Sequence, residues 1–397
     1  MGYLSVMLRL SLFVALFYSV STVAQPVPAP LITGKTSGTL PYLNYGLGED
    51  RLGGAKMTYL DTNVAVKVVD SVLGHYKIQL SKNHTAFLPI GNFTRDSVPV
   101  SKDYYLTNNW RVYGDSLYDY VSVAVDAQLP YQSQQLIDPA AIMVDVYGAT
   151  SNTNWITQLS SAKEVKDVSH EQIEDDVFRI KIKLRHQQHW GYSIYYENKR
   201  LVIRIKRQPA VLELSKLKIA IDAGHGGSNS GAAGVKTKIS EKNYTLKIAK
   251  ELQTALLNEG ANVYMTRETD ITLGMNERWL MVKDQSPDIL ISIHLNSSVK
   301  DSIQGVSTYY RYPGFRPMTQ YILNRMLETG LKEFGNIGSF NFALNGPTDW
   351  PNCLVEVAFL SNKEDEQRIL DPVFHKEVAQ KIVAGIKDWL IAVKENN

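Results

Sequence analysis

Cysteine is almost absent from this chain of 397 residues: Cys353 is the only one, so no disulfide can form within it. Stability must come from packed cores, and the chain is not a small secreted scaffold stapled by disulfides. A charge bias is missing as well. The 42 Lys and Arg residues against 40 Asp and Glu leave a formal net charge of +2, with the two signs well mixed. A polyanion ligand usually calls for clustered basic residues, so nucleic acid is not an expected partner. Long apolar runs are lacking too, apart from one near the N-terminus. What is present, 44% hydrophobic and 21% charged residues, is the composition of a folded globular protein. At this length roughly two or three domains are expected.

The apolar exception lies in residues 1–24. Arg9 is the only charge there, residues 10–20 are apolar with a few hydroxyls, and small residues lead up to Ala24. A Pro-rich stretch follows at residues 25–30. This is the pattern of a secretory signal peptide cleaved after Ala24. The run is short for a bilayer span, which takes about 20 residues, and retention as a membrane anchor is the alternative. Export to the periplasm or cell wall is expected. Exported bacterial proteins often lack disulfides, so the Asn-x-Ser/Thr matches at Asn83 and Asn92 read as chance.

Residues 25–47 read as an extended linker. Over residues 48–97, Val64, Val66 and Val68 alternate, Gly74 marks a turn, and Tyr76, Ile78 and Leu80 alternate again. Short, closely spaced strands suggest a small β-barrel, and this segment resembles bacterial SH3-like modules. Over residues 104–208 the alternating sets are Val121-Val123-Val125, Ile142-Val144-Val146, Val177-Ile180-Ile182-Leu184 and Leu201-Ile203-Ile205. They suggest a β-sandwich. Its order of features, Leu-Pro near residue 130, Asp-Val-Tyr-Gly-Ala at 145–149 and a final Leu-Val-Ile-Arg-Ile, is similar to the AMIN domains that target amidases to the wall. On this reading the β-rich half targets and does not catalyse.

The texture changes at Lys216. Apolar strands are expected at 217–221, 263–266, 289–293, 306–310 and 354–357. Helices are expected at 241–259, 275–282, 316–333 and 373–393. Strands alternating with helices, and strands that are nearly all apolar, describe an α/β domain over 216–397 with a mainly parallel sheet flanked by helices. In such sheets function collects at the carboxyl ends of strands.

Two strand ends and one helix start in this domain present groups that can bind metal. Asp222-Ala223-Gly224-His225-Gly226-Gly227 follows the first strand, and its glycines allow the sharp turn that raises His225 beside the sheet. Ser292-Ile293-His294-Leu295-Asn296 carries His294 out of a buried strand. Glu241 opens the first helix, with Ser240 at the N-cap. Two histidines and a carboxylate are a usual ligand set for one catalytic zinc ion, leaving a fourth position to water. Zinc lowers the pKa of that water and polarises a carbonyl, which permits amide hydrolysis at neutral pH. Glu356 lies inside the apolar run Leu354-Val355-Glu356-Val357, where it could serve as general base and then general acid.

With these residues in view, positions 217–390 resemble the N-acetylmuramoyl-L-alanine amidases of the Amidase_3 type. The landmarks occur in order: IDAGHGG at 221–227, SEKNYTLKIAKEL at 240–252, VYMTRETD at 263–270, NERW at 276–279, ILISIHLNSS at 289–298 and CLVEVAFLSN at 353–362. The resemblance implies that His225, Glu241 and His294 bind zinc and that Glu356 is the catalytic glutamate. It implies hydrolysis of the amide between the lactyl group of N-acetylmuramic acid and L-alanine in peptidoglycan. Arg267 and Arg278 match recurrent arginines to which no catalytic role is given. Members held inactive by an inserted helix carry a long segment between the second histidine and the glutamate. The short interval between His294 and Glu356 leaves no room for one, so no obligate protein activator is expected.

Each residue alone has a structural alternative. His225 could be a loop histidine, Glu241 an acid favoured by a helix N-terminus, and Glu356 half of a buried ion pair. Cys353 reads as a small buried hydrophobe, Asp222 as a residue that orders the loop, and His186 and His189 as surface residues. Two other functions stay open: a wall-binding scaffold whose amidase domain is inactive, and a zinc peptidase cutting within the stem peptide. The oligomeric state stays open too.

Overall fold

The computed structural model describes residues 32–48, 53–98, 102 and 104–396. The expected signal peptide and the first part of the expected linker lie outside the described residues.

The first module contains β1 (Ile32–Thr36), β2 (Tyr42–Asn44), β3 (Lys56–Tyr59), β4 (Ala65–Val72), β5 (His75–Gln79), β6 (Thr85–Pro89) and β7 (Phe93–Arg95). They form one sheet in the order β3-β2-β6-β5-β4-β1-β7. This corrects the linker expectation for residues 32–47. β1 sits between β4 and β7, with Ile32 opposite Val68 and Gly34 opposite Arg95. The sequence around β1 gives little apolar alternation, and its hydrogen-bond partners are remote in the chain, so a local pattern could not expose the strand.

The second region contains β8 (Tyr105–Gly114), β9 (Tyr118–Val125), β10 (Tyr131–Ile137), β11 (Ala140–Tyr147), β12 (Ala149–Thr150), β13 (Ile156–Gln158), β14 (Val165–Glu174), β15 (Val177–Leu184), β16 (Tyr192–Glu197) and β17 (Arg200–Lys206). One sheet runs β10-β11-β15-β14, and the other runs β12-β8-β9-β17-β16, with β13 also paired to β8. The alternating valines and isoleucines named above are buried, and they share one core with Leu43, Val66, Ile78 and Leu88 of the first module. The two β regions are therefore packed as one body.

The C-terminal domain contains β18 (Lys218–Ala223), α1 (Glu241–Asn258), β19 (Asn262–Met265), α2 (Met275–Gln285), β20 (Ile289–Asn296), β21 (Val306–Tyr309), α3 (Arg316–Leu327), β22 (Glu333–Ile337), β23 (Asn352–Phe359), α4 (Lys363–Ile369) and α5 (Pro372–Glu395). Its sheet runs β19-β18-β20-β23-β21-β22. The β18–β19, β18–β20, β20–β23 and β21–β22 pairings are parallel, and β21–β23 is antiparallel. Alternation across the strands sends Ile221, Ile291, Ile293 and Val355 into the core with Leu252, Ile322 and Ile386 from the helices. Ala220 and Leu290 point to the opposite face, against Trp279 and Trp350.

The helix expected at 316–333 is shorter. α3 stops at Leu327, Gly330 takes a positive φ of 79°, and Glu333–Ile337 pairs with β21 at the sheet edge. Gly335 and Asn336 hide that strand from a propensity reading. The buried face of α3 (Met318, Ile322, Leu323, Met326) is part of the domain core.

The sandwich and the C-terminal domain meet over a packed seam. Trp190 is 2% exposed and its ring lies 5.1 Å from that of Trp389 on α5. Trp389 Nε1 donates to Gln188 Oε1 at 3.0 Å, and Tyr192 N–H donates to the Thr348 carbonyl at 2.7 Å. His189, expected at the surface, is buried in this seam, with Nε2 2.8 Å from the Leu136 carbonyl. Its sequence neighbourhood gives no sign of burial because the covering residues come from another domain. His186 pairs with Glu164 at 2.7 Å. Among the described residues no helix is long and apolar enough to cross a membrane.

Candidate active site

The polar residues of the site stand where the sheet runs out. Asp222 pairs in register with Ser292, and His294 with Glu356, so these side chains share one face of three adjacent strands. β18 then turns through Gly224, where a side-chain carbon would come within 2.4 Å of the His294 ring. Only glycine lets the loop pass so close. His225 itself has φ 62°, a left-handed conformation uncommon for a residue with a side chain. Such strain persists where surrounding contacts hold it, and it is frequent at functional sites.

Glu241 meets both imidazoles. His225 Nε2 and His294 Nδ1 each lie 3.1 Å from Glu241 Oε1, and one ligand atom from each of the three residues falls within 4.8 Å of the others. The rings are 5.0 Å apart and nearly perpendicular. Ser240 occupies the N-cap position of α1, yet its hydroxyl caps no backbone N–H. The Glu241 carboxylate instead accepts from Ala232 N–H at 2.8 Å and from Leu295 N–H at 3.0 Å. Burial would raise the Glu241 carboxyl, but the hydrogen bonds from His225 and His294 outweigh it and hold it well below the usual carboxylate range. Burial would lower His225, and Glu241 overcomes that and raises it. An ionised carboxylate between two imidazoles is a group that could hold a metal ion.

Asn229 belongs to the site and was not singled out in the sequence. Its Oδ1 lies 2.9 Å from His225 Nδ1 and accepts from Gly231 N–H at 3.2 Å. Because Oδ1 can only accept, Nδ1 carries the proton, which leaves His225 Nε2 as the ligand atom. A polar residue four positions after the histidine in a Gly-rich loop was the available signal.

Beneath this group lies a buried ion pair. Arg278 Nη1 donates to Asp222 Oδ1 at 2.7 Å, and each of the two residues is 1% exposed. Asp222 also accepts from the Thr266 and Ser292 hydroxyls. Burial would raise its carboxyl, but Arg278, aided by His294, holds it low. Arg267 donates to the carbonyls of Ala223, Gly224 and Lys242, tying the loop to α1. Arg278→Met is expected to destabilise the fold by about 3–5 kcal/mol, since it leaves Asp222 buried without a counter-charge. Urea unfolding checks this, and an unchanged midpoint would show that Asp222 neutralises at little cost.

Glu356 is 6% exposed on β23, beside His294 on β20. Tyr309 stands on the neighbouring strand, and two further aromatics complete the border. Phe342 lies parallel to the His294 imidazole, 6.3 Å between centroids and 11° between planes. Phe340 and Phe342 are 4.5 Å apart, and both meet Tyr309 edge-on. Cys353 is buried, and burial pushes its thiol far up, so it offers no thiolate.

Residues 219–388 match the family described as N-acetylmuramoyl-L-alanine amidase. The probable cell wall amidase LytH of Staphylococcus epidermidis is 34% identical over 172 residues, 43% of this chain and 57% of that protein. LytH of Staphylococcus aureus is 34% identical over 175 residues, 44% of this chain and 58% of that one. The chain thus spans less than two thirds of the length of these curated relatives. Among solved structures, the catalytic domain of CwlV, an N-acetylmuramoyl-L-alanine amidase from Bacillus (Paenibacillus) polymyxa, is 32% identical, with a TM-score of 0.41. The match covers 44% of this chain and 98% of that domain. An N-acetylmuramoyl-L-alanine amidase from Clostridium difficile is 27% identical, with a TM-score of 0.43, covering 44% and 97% of the two chains.

Proposed function

Because its C-terminal domain belongs to the N-acetylmuramoyl-L-alanine amidase family, we propose that this protein is a zinc-dependent peptidoglycan amidase. It hydrolyses the amide between the lactyl group of N-acetylmuramic acid and L-alanine. The observation that carries the reading is the convergence of His225, Glu241 and His294, with Glu356 in register beside His294.

Zinc held by His225, Glu241 and His294 would supply Lewis-acid polarisation of the scissile carbonyl and of the attacking water. The donor set fits: two imidazole nitrogens and one ionised oxygen face a common point, and zinc binding would release any proton those nitrogens carry. Asn229 fixes the tautomer of His225. Glu356 takes a proton from the attacking water on a carboxylate oxygen and returns it to the departing alanine nitrogen, so the carboxylate is regenerated. The aromatic border lines one side of His294.

The reading extends to the rest of the chain. Residues 48–97 and 104–208 are taken as SH3-like and AMIN-like wall-binding folds, supported by their short-stranded sheets. Export to the wall follows from the substrate. Activity without a protein activator is supported by the packing of α3, whose apolar face is committed to the core.

The test is mass spectrometry of sacculi digested by the purified protein, with and without a zinc chelator. Free stem peptides beginning at L-alanine, lost with chelator, are expected. Peptides cut internally would make it a peptidase, and undigested sacculi would make it a binding scaffold.

A further inference from the structure

The border formed by Phe340 and Phe342 is held from outside the C-terminal domain. Asn341, between them, turns its side chain to the first β module. Its Oδ1 accepts from Lys56 N–H at 3.3 Å, and its Nδ2 donates to the Gly54 carbonyl at 3.0 Å. Arg311, two residues beyond β21, donates to the Lys56 carbonyl. One short piece of backbone, at the start of β3, is thus gripped by three hydrogen bonds from residues 255 to 287 positions away.

The consequence for the site follows from backbone geometry. Neighbouring side chains in an extended segment point to opposite sides, and Phe342 is extended, with φ −67° and ψ 141°. Fixing Asn341 on one side presents Phe340 and Phe342 on the other, where both meet Tyr309 and Phe342 lies parallel to the His294 ring. Within the C-terminal domain, Phe340 N–H donates to the Tyr310 carbonyl at 3.2 Å. Gly338 and Ser339 before it are exposed, and Ser339 has φ 56°, so Asn341 adds the hold that comes from the side of the first β module.

We infer that the first β module is part of the substrate cleft: through Asn341 and Arg311 it positions Phe340 and Phe342 as a wall for the muramic acid residue beside the scissile bond. Asn341 is a positioning residue that acts through Phe342. A flat ring next to a metal-ligand histidine can receive the apolar face of a sugar while the lactyl amide reaches the metal group. The inference rests on the amidase reading above, and it differs from a division of labour in which the β-rich half only targets.

The experiment compares the full chain with Asn341→Ala, Phe342→Leu and the double variant on a soluble disaccharide-peptide. Asn341→Ala removes both hydrogen bonds and is expected to lower kcat/KM about 10-fold, mainly through KM, with metal content unchanged. Asn341→Asp, which keeps the acceptor for Lys56 N–H and loses the donor, should fall between. The double variant should lose no more than Phe342→Leu, because the two act as one unit. An unchanged KM in Asn341→Ala, or losses that multiply, overturns the inference. Hydrogen exchange over residues 338–346 tests the clamp independently of turnover. It should quicken in Asn341→Ala, and equal exchange overturns the clamp even if the protein is an amidase. An inactive wild-type protein with a working clamp counts instead against the amidase reading, and with it the role in the cleft.

Discussion

Glu356→Gln is expected to lower amidase turnover by about 100-fold or more while the protein keeps its metal, the lower range of general acid–base contributions. The substitution preserves shape and removes only the ability to take a proton. Glu356 is not among the three groups that converge on a common point, and its place is on the next strand, in register with His294. A buried carboxylate replaced by a neutral amide of the same size should leave the fold intact, so a thermal unfolding measurement accompanies the kinetics. Loss of metal would make Glu356 a ligand. Retained turnover would reassign the proton transfer to another group, and Tyr309 on the adjoining strand would be the first to examine.

His294→Ala is expected to take away metal and turnover together. Loss of an outer partner of a metal ligand typically costs 10–100-fold in affinity or activity, and loss of a ligand should exceed about 100-fold. Zinc content after desalting should fall from one per chain to background, and activity should match that of the chelated wild-type protein. The fold should survive. Without metal, Glu241 still accepts hydrogen bonds from His225, Ala232 N–H and Leu295 N–H, so its carboxylate is not left buried and unpartnered. Full zinc content in His294→Ala would remove this residue from the ligand set.

Much of the site was legible because its signals are local. His225 stands in a Gly-rich turn, His294 and Glu356 interrupt apolar strands, and Glu241 begins a helix. Each departs from its own surroundings within a few residues. The alternation of apolar strands and amphipathic helices likewise announced an α/β domain after Lys216, and period-two alternation announced the β-rich half before it. Asn229 was harder to find, since its one signal, a polar residue four positions after His225 in a Gly-rich loop, is shared by its neighbours Ser228 and Ser230.

By itself, then, the sequence determined the order of β-rich and α/β regions, the absence of disulfides, and the residues able to make a metal group. These depend on composition and on periodicities of two and 3.6 residues, which each segment carries alone. Only the tertiary structure decided that residues 32–36 are a strand and not a linker, because β1 exists through pairing with β4 and β7. It also buried His189, set Trp190 against Trp389, and fastened Asn341 to the backbone at Gly54 and Lys56. Each of these contacts joins residues far apart in the chain. Closing a long loop costs little extra free energy per added residue, so such partners can lie almost anywhere along the chain, and no local pattern identifies them.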